Sequence, residues 1–489
     1  MLAESGLTAL FGGLENNIGA LMALVYGLIS LLGIVSALEA ILKTRTAQGA
    51  VAWAIVLVVL PVVFVPLYWI FGRRKFRGYA MAKRSANAEI ARLSHQLSNA
   101  FDEMPPQTRD DSRLASLAQL AALPTSGGNS AELLIDGDRA FANMFAHIRN
   151  AKEYVLLEYY IIREDRIGSE LANLLLEKAA EGVAIYCIYD EIGSFQLSRG
   201  FIQRLRDGGI HITPFNSTKG LGNRLQLNFR NHRKILVVDG KYACVGGMNV
   251  GDEYRHHHPR LSPWRDTSLG ITGPAVQAVQ LAFAEDWYWA CETLPPLNWT
   301  LAKSSKANYD GLILATGPAD SMDSCALMFI DLIHNAKDRL WIVSPYFVPD
   351  APVIMALQLA ALRGVDVKIM LPRNPDKLII QLSSYSAIRE TMAMGVQFYY
   401  YQKGFLHQKV LLVDNDLAMV GTANLDNRSF RLNFEICALF RDREFAAEME
   451  AMLTEDLGAC RQLLPREVSS WGFLRRLLSR CAYLFAPLQ

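Results

Sequence analysis

From Ile148 onward the chain nearly repeats itself, and a duplication of this length restricts the fold more than any other feature of the sequence. Ile148-Arg-Asn-Ala-Lys-Glu-Tyr-Val answers Ile333-His-Asn-Ala-Lys-Asp-Arg-Leu, each the end of a helix running into a strand. Strands over 155–162 and 341–347 follow, then an amphipathic helix in each copy. Glu181-Gly-Val-Ala-Ile-Tyr-Cys-Ile-Tyr matches Arg363-Gly-Val-Asp-Val-Lys-Ile-Met-Leu, and Gly209-Ile-His-Ile-Thr-Pro-Phe matches Gly395-Val-Gln-Phe-Tyr-Tyr-Tyr. Short β-rich runs alternating with helical segments read as α/β, with sheets covered by helices. The period far exceeds the roughly 20–50 residues of a solenoid repeat, so the repeat reads as a duplicated domain. Two such halves pack most economically with their sheets side by side, which brings the repeated segments together at a seam.

One repeated segment carries chemistry. His232-Arg-Lys234-Ile-Leu-Val-Val-Asp239 recurs as His407-Gln-Lys409-Val-Leu-Leu-Val-Asp414. Gly246-Gly247-Met-Asn249 follows the first copy and Gly421-Thr422-Ala-Asn424 the second. Alternation along a strand puts each histidine on the same face as its lysine. Two imidazoles meeting at one phosphorus suit phosphodiester exchange: one attacks while the other protonates the departing oxygen. They must differ in protonation state, which a shared site enforces because adjacent cations repel. Lys234, Lys409, Asn249 and Asn424 can donate to the nonbridging oxygens, where charge is held in the transition state. No metal is required. A lone HxKx4D is a weak signal, equally readable as an edge lysine with a turn aspartate before Gly240 or Asn415. Its recurrence with matching Gly-x-x-Asn spacing favours catalysis. The His256-His257-His258 run reads as a surface or pocket-lining loop rather than a metal site, since consecutive side chains point apart on any regular backbone. A first-half insertion over 218–227, with Lys219 and Arg224, reads as a loop closing over the site.

The N-terminus departs sharply from the rest. Residues 18–42 are apolar except for Glu39, and 49–72 are wholly apolar, each long enough for a helix to cross a hydrocarbon core of roughly 30 Å. Pro61 and Pro66 predict a kinked or tilted second span; a buried helical hairpin in a soluble core is the competing reading. The first apolar run is too long for a signal peptide and has no preceding cation. Arg73, Arg74, Lys75, Arg77, Lys83 and Arg84 follow the second run, which places what comes after on the cytoplasmic side. Seven scattered cysteines without CxxC spacing suit a reducing compartment and argue against a zinc site. The expected organisation is an anchor over 1–77 with two transmembrane helices, a helical connector over 78–129, α/β domains over 130–305 and 306–465, and a C-terminal segment over 466–489. That last segment mixes Trp471, Phe473, Leu474, Leu477 and Leu478 with Arg475, Arg476 and Arg480. It reads as a basic amphipathic helix on an anionic membrane surface, against docking onto the protein's own core.

The paired motifs resemble the phospholipase D superfamily, whose signature is HxKx4D followed by Gly-Ser-x-x-Asn. Gly247 and Thr422 stand where serine is usual, so the two halves are expected to differ in role. The resemblance implies duplicated α-β-α sandwich domains related by a pseudo-twofold axis. It carries the catalytic motif over to His232, Lys234, Asp239, His407, Lys409 and Asp414, with the aspartates mainly structural, and phosphate binding to Asn249, Asn424 and Thr422. In that superfamily a carboxylate farther along orients each histidine. Asp266, in Trp264-Arg-Asp-Thr, and Glu435, in Asn433-Phe-Glu, hold the matching positions, Asp266 being displaced by the Arg255-His-His-His-Pro insertion.

Within the superfamily the chain is similar end to end to the bacterial cardiolipin synthases. Two N-terminal spans, Glu158-Tyr-Tyr, Asp190-Glu-Ile-Gly-Ser, Ser344-Pro-Tyr-Phe-Val-Pro-Asp350 and Gly421-Thr-Ala-Asn-Leu-Asp-Asn-Arg-Ser carry that similarity. It implies conversion of two phosphatidylglycerols into cardiolipin and glycerol through a phosphatidyl-histidine, without cofactor, in the bacterial inner membrane. The implied partners are phosphatidylglycerol, other anionic phospholipids and the bilayer itself, with a homodimer left open. A hydrolase releasing phosphatidic acid, or a transferase using phosphatidylethanolamine as donor, fits the same motifs. A nuclease fits less well, because a net charge of +1 offers no basic track for a polyanion. A non-catalytic scaffold has no use for two intact His–Lys pairs.

Overall fold

The computed structural model describes residues 2–44, 47–72, 79, 89–107, 113–215 and 228–488. The chain divides into two compact units, Met1–Lys75 with Thr218–Asn228 and Phe76–Ser217 with Phe229–Gln489. The cations between Arg73 and Arg84 and the 218–227 insertion lie outside the described residues.

In the first unit a helix over Leu2–Lys43 packs against Ala47–Val59 and Pro61–Leu67. Among the described residues, Gly19–Lys43, with a mean hydropathy of 2.3, is the one segment long and apolar enough to cross a bilayer. The second apolar run, expected as one kinked span, is divided at Leu60–Pro61 and ends in a π-helical turn over Tyr68–Gly72. Proline lacks the N–H that would continue the ladder, and its ring clashes with the carbonyl four residues back. Only the helices' mutual contact is buried, through Ala37, Ala40, Leu57, Val65 and Tyr68. Leu21, Met22, Leu24, Leu28 and Leu31 are exposed.

The second unit is built on one large mixed sheet. Its first-half strands are β1 (Ser126–Ile135), β2 (Tyr154–Tyr159), β3 (Ala184–Tyr189), β4 (His211–Pro214), β5 (Lys234–Val238), β6 (Tyr242–Gly246) and β7 (Thr267–Thr272). Its second-half strands are β8 (Tyr309–Thr316), β9 (Arg339–Val343), β10 (Asp366–Pro372), β11 (Gln397–Tyr401), β12 (Val410–Val413), β13 (Leu417–Gly421) and β14 (Asn433–Arg441), followed by β15 (Cys460–Gln462). Across the sheet the order is β15-β11-β10-β9-β12-β13-β14-β8-β1-β7-β6-β5-β2-β3-β4. Outward from the central β1–β8 pair, each second-half strand has its first-half counterpart seven labels earlier. β2, β3 and β4 run parallel, as do β9, β10 and β11; the remaining neighbours pair antiparallel.

Every residue of β2, β5, β6, β12 and β13 is buried, as in a sheet covered on both faces. On one face a single core spans both halves, joining helix Ala275–Cys291 to helix Arg443–Gly458. On the other face each half has its own core, under Asp136–Asn150 and Arg166–Ala180 in one and Ser324–Asn335 and Ala351–Leu362 in the other. The halves, expected to divide at 305/306, thus share one sheet and the core on one of its faces.

β1 starts at Ser126, inside the segment expected to be connector. Ser-Gly-Gly-Asn has the composition of a linker but forms a bulge, with Gly128 at φ 78° and a register break between Ser126 and Asn129. There the strand changes partner, pairing with β8 at Ser126 and Asn129, either side of the bulge, and with β7 from Ser130 onward. The connector helices Glu89–Asp102 and Ala115–Ala121 precede it.

Candidate active site

Two short crossings between the halves build the site. Arg230–Asn231 pairs in parallel with Asn433–Phe434, and Phe405–Leu406 pairs in parallel with Trp264–Arg265. The next residue along each strand is a candidate site residue. The His232 amide donates to the Phe434 carbonyl at 2.9 Å and the His407 amide to the Arg265 carbonyl at 2.8 Å. Each histidine therefore meets the carboxylate that follows its partner strand. His232 Nδ1 lies 2.9 Å from Glu435 Oε2 and 3.1 Å from Oε1, and His407 Nδ1 lies 2.7 Å from Asp266 Oδ2. The two orienting carboxylates are exchanged between the halves.

The carboxylates are not alike. Glu435 accepts from Thr422 Oγ1 at 2.5 Å and from Asn433 Nδ2 at 3.0 Å. Burial pushes its carboxyl up, but His232, Lys234 and the Thr422 hydroxyl outweigh this and hold it at about 2. An ionised Glu435 can only accept, so His232 carries its proton on Nδ1 and leaves the Nε2 lone pair for chemistry. Burial brings His232 down to about 4, with Glu435 opposing, so the ring is neutral at physiological pH. Asp266 accepts from the Thr267 amide at 2.8 Å, and burial raises it to about 7 against the pull of Lys409. His407 falls well below its ordinary value, through burial and then Lys409 and Lys234. With the carboxyl raised to about 7 and the imidazole lowered, the Asp266–His407 pair can gain and lose a proton near neutral pH.

Gly247 explains the departure from serine in the first half. A Cβ there would stand 2.2 Å from Asp266 Oδ1. Gly247 with Asp266 takes the place that Thr422 with Glu435 fills in the second half.

Lys234 and Lys409 are about 1% exposed and donate to the carbonyls of His232 and His407 at 2.7 and 2.5 Å. Burial lowers them to about 7 and about 8, with the carboxylates opposing. Asn249 is occupied by the protein, accepting from the Ile161 amide at 3.1 Å and donating to the Tyr254 hydroxyl at 2.7 Å. Asn424 differs: its Oδ1 is buried without a hydrogen-bond partner among the described residues.

Asp239 and Asp414 lie away from the histidines, past the far ends of β5 and β12, both in left-handed backbone. Asp239 accepts from the amides of Lys152, Glu153 and Tyr154, and Asp414 from those of Lys337, Asp338 and Arg339. They tie each motif hairpin to the start of the neighbouring strand. The His256–His258 loop is held by its own rings: His256 Nδ1 accepts from the Trp264 amide, and His258 Nδ1 from the amides of Arg260 and Leu261.

Sequence reading passed over the residues between each histidine and lysine. Arg233 donates to Asp286 at 2.6 Å, and Gln408 to Asp456 at 2.9 Å, both acids sitting on the helices of the shared core. Asp286 also accepts from Tyr79 and Asn231; Asp456 also accepts from Arg265, the residue before Asp266. Neither acid stands out in the sequence, because Glu285 precedes Asp286 and Glu444, Glu448, Glu450 and Glu455 share the helix of Asp456. Aromatic rings complete the surroundings, Tyr160 at 5.0 Å from the His232 ring and Trp264 at 5.5 Å from the His407 ring.

Comparison with known proteins gives the family. The family described as "Cardiolipin synthase, PLD-like domain" matches residues 144–258 and 329–457, which contain both histidine–lysine motifs. Cardiolipin synthase A of Pseudomonas putida is 46% identical over 469 residues, covering 94% of this chain and 97% of that protein. Cardiolipin synthase A of Pseudomonas syringae pv. syringae is 44% identical over 471 residues, covering 95% and 98%. Among solved structures, phosphatidylserine synthase of Haemophilus influenzae superimposes with a TM-score of 0.56 at 14% identity, over 78% of this chain and 100% of that one, a likeness of fold. The chain belongs to the cardiolipin synthase family of the phospholipase D superfamily.

Proposed function

We propose that the protein makes cardiolipin and glycerol from two phosphatidylglycerols by two exchanges at one phosphorus. The crossed carboxylate–histidine pairs carry this reading. His232 Nε2 attacks the phosphorus of the first lipid, and the bond to its terminal glycerol breaks. The glycerol oxygen leaves with the proton held by the Asp266–His407 pair, and phosphatidyl-His232 remains. His407 then takes the proton from the terminal hydroxyl of the second lipid. That oxygen bonds to phosphorus as the P–N bond breaks, releasing cardiolipin. One phosphodiester replaces another, so no nucleotide is consumed.

The asymmetry of the carboxylates supports this division of labour. Glu435 is fixed as an anion and stabilises the positive charge that forms on His232. Asp266, near neutrality, suits a pair that must give and regain a proton. Lys234, Lys409 and Asn424 are assigned to the nonbridging oxygens, while Asn249 and Thr422 hold the surrounding scaffold.

The matching strand orders support two phospholipase D-like domains related by a pseudo-twofold axis. The exposed apolar helices support an inner-membrane protein with a second crossing made from the divided 47–72 segment, and the cations after it favour a cytoplasmic catalytic unit. Pure phosphatidylglycerol vesicles should yield cardiolipin and glycerol, with acid-labile phosphate trapped on a peptide containing His232. Phosphatidic acid as the sole product would refute the synthase reading; label on His407 would reverse the roles.

A further inference from the structure

A second polar depression lies apart from the histidines, where helix Phe473–Tyr483 packs on helix Leu378–Met392. It is a groove of about 540 Å³ whose lining includes Arg373, Arg461, Arg475, Tyr385, Trp471 and Ser470. Arg475 lies over two neighbouring rings, its guanidinium carbon 4.1 Å from the Tyr385 centroid and 4.3 Å from that of Trp471. Arg461 pairs with Glu467 at 2.9 Å, and Arg373 donates to Gln402 at 2.6 Å. Three guanidiniums share the groove with the single carboxylate of Glu467, which leaves it cationic.

The surface beside the groove is apolar. Phe473 is 73% exposed, Leu474 66% and Leu484 78%, with Leu477, Leu478 and Phe485 also open. Leu378 and Ile379, at the start of the helix beneath, extend the exposed patch. A contiguous apolar patch edged by cations is poorly suited to water and matches the boundary between headgroups and acyl chains. The same C-terminal segment reaches the catalytic rim, where Ala486 packs with Val348 and Ile380. Val348 pairs with Asp426, two residues after Asn424.

We propose that this groove binds the phosphate of an anionic phospholipid as a site separate from the catalytic centre, seating helix Phe473–Tyr483 in the membrane surface. The proposal rests on the lipid-exchange reading only for its choice of a bilayer as the partner. Arg475, resting against both rings, and Arg373 both line the groove and can donate to phosphate oxygens. The docked helix would hold the catalytic rim at the level from which substrate headgroups arrive.

The test uses the full chain carrying H232A and H407A, which cannot consume the probe, in phosphatidylcholine nanodiscs. Trace photoactivatable phosphatidylglycerol or photoactivatable phosphatidylcholine is added, and cross-linked peptides are mapped by mass spectrometry. The anionic probe should label peptides within 461–485 well above the zwitterionic one. Adding R373Q and R475Q should cut that labelling about tenfold or more, and R373K with R475K should retain most of it. Equal labelling by the two probes, or full labelling of the glutamine variant, would overturn the site. Failure of the wild-type chain to make cardiolipin would leave this labelling unchanged, so the two readings fail separately.

Discussion

At the scale of single residues, the site depends on unequal surroundings for two similar histidines. Glu435→Gln replaces a fixed acceptor with an amide that can also donate to Nδ1, which puts the His232 proton on Nε2 and removes the nucleophile. kcat should fall on the order of 10³-fold with KM nearly unchanged, as measured by glycerol release. Gly247→Ala places a methyl against Asp266 Oδ1 and displaces the carboxylate that orients His407. A kcat loss on the order of 10²-fold is expected, although serine is usual here in the superfamily. The pH profile follows from the same environments. His232 stays neutral until the pH falls through about 4, so kcat/KM should hold level across mildly acidic pH. Above about 7 the proton of the Asp266–His407 pair is lost and Lys234 discharges, so kcat/KM should decline. A profile that keeps rising to pH 9 would contradict the assignment.

At the scale of elements, the motif aspartates anchor the starts of neighbouring strands. Asp239→Ala strips the acceptor from three successive amides at the entry to β2 and should cost about 3 kcal/mol or more. The variant should melt earlier in detergent yet retain turnover when assayed cold; complete loss of turnover in a folded sample would place Asp239 in the mechanism. The elements also show what could be read in advance. The His and Lys spacing recurs and so is legible, whereas the span expected to kink at Pro61 and Pro66 divides at Leu60–Pro61 and keeps Pro66 inside the next helix. The start of β1 was not legible, because Gly127 and Gly128 look alike in a linker and in a bulge until the partner strands are known. The exchange of Asp266 and Glu435 was hidden for the same reason. Their order along the chain does not record which strand end each faces, and the Arg255–Pro259 insertion obscured the matching distance. Arg233 and Gln408 occupy variable positions of the motif, and only the folded sheet brings them onto the buried acids of the core helices.

At the scale of the whole molecule, the shared sheet lets one chain form both crossed histidine–carboxylate pairs. His232 needs Glu435 and His407 needs Asp266, so neither half can orient its own histidine. The β1–β8 pairing and the common core hold the two halves in the register that this exchange requires. A homodimer, if it forms, then has two complete centres instead of one divided between subunits. Mixing chains carrying H232A with chains carrying H407A distinguishes these arrangements. If each centre is built within a chain, every centre in the mixture lacks one histidine, and co-expression or exchange in mixed micelles should restore no cardiolipin synthesis. Centres that exchanged halves between chains would instead combine an intact first half with an intact second half, and activity would reappear in proportion to mixed dimers. Recovery of turnover would therefore require the halves to separate and swap, against the continuous sheet that joins them.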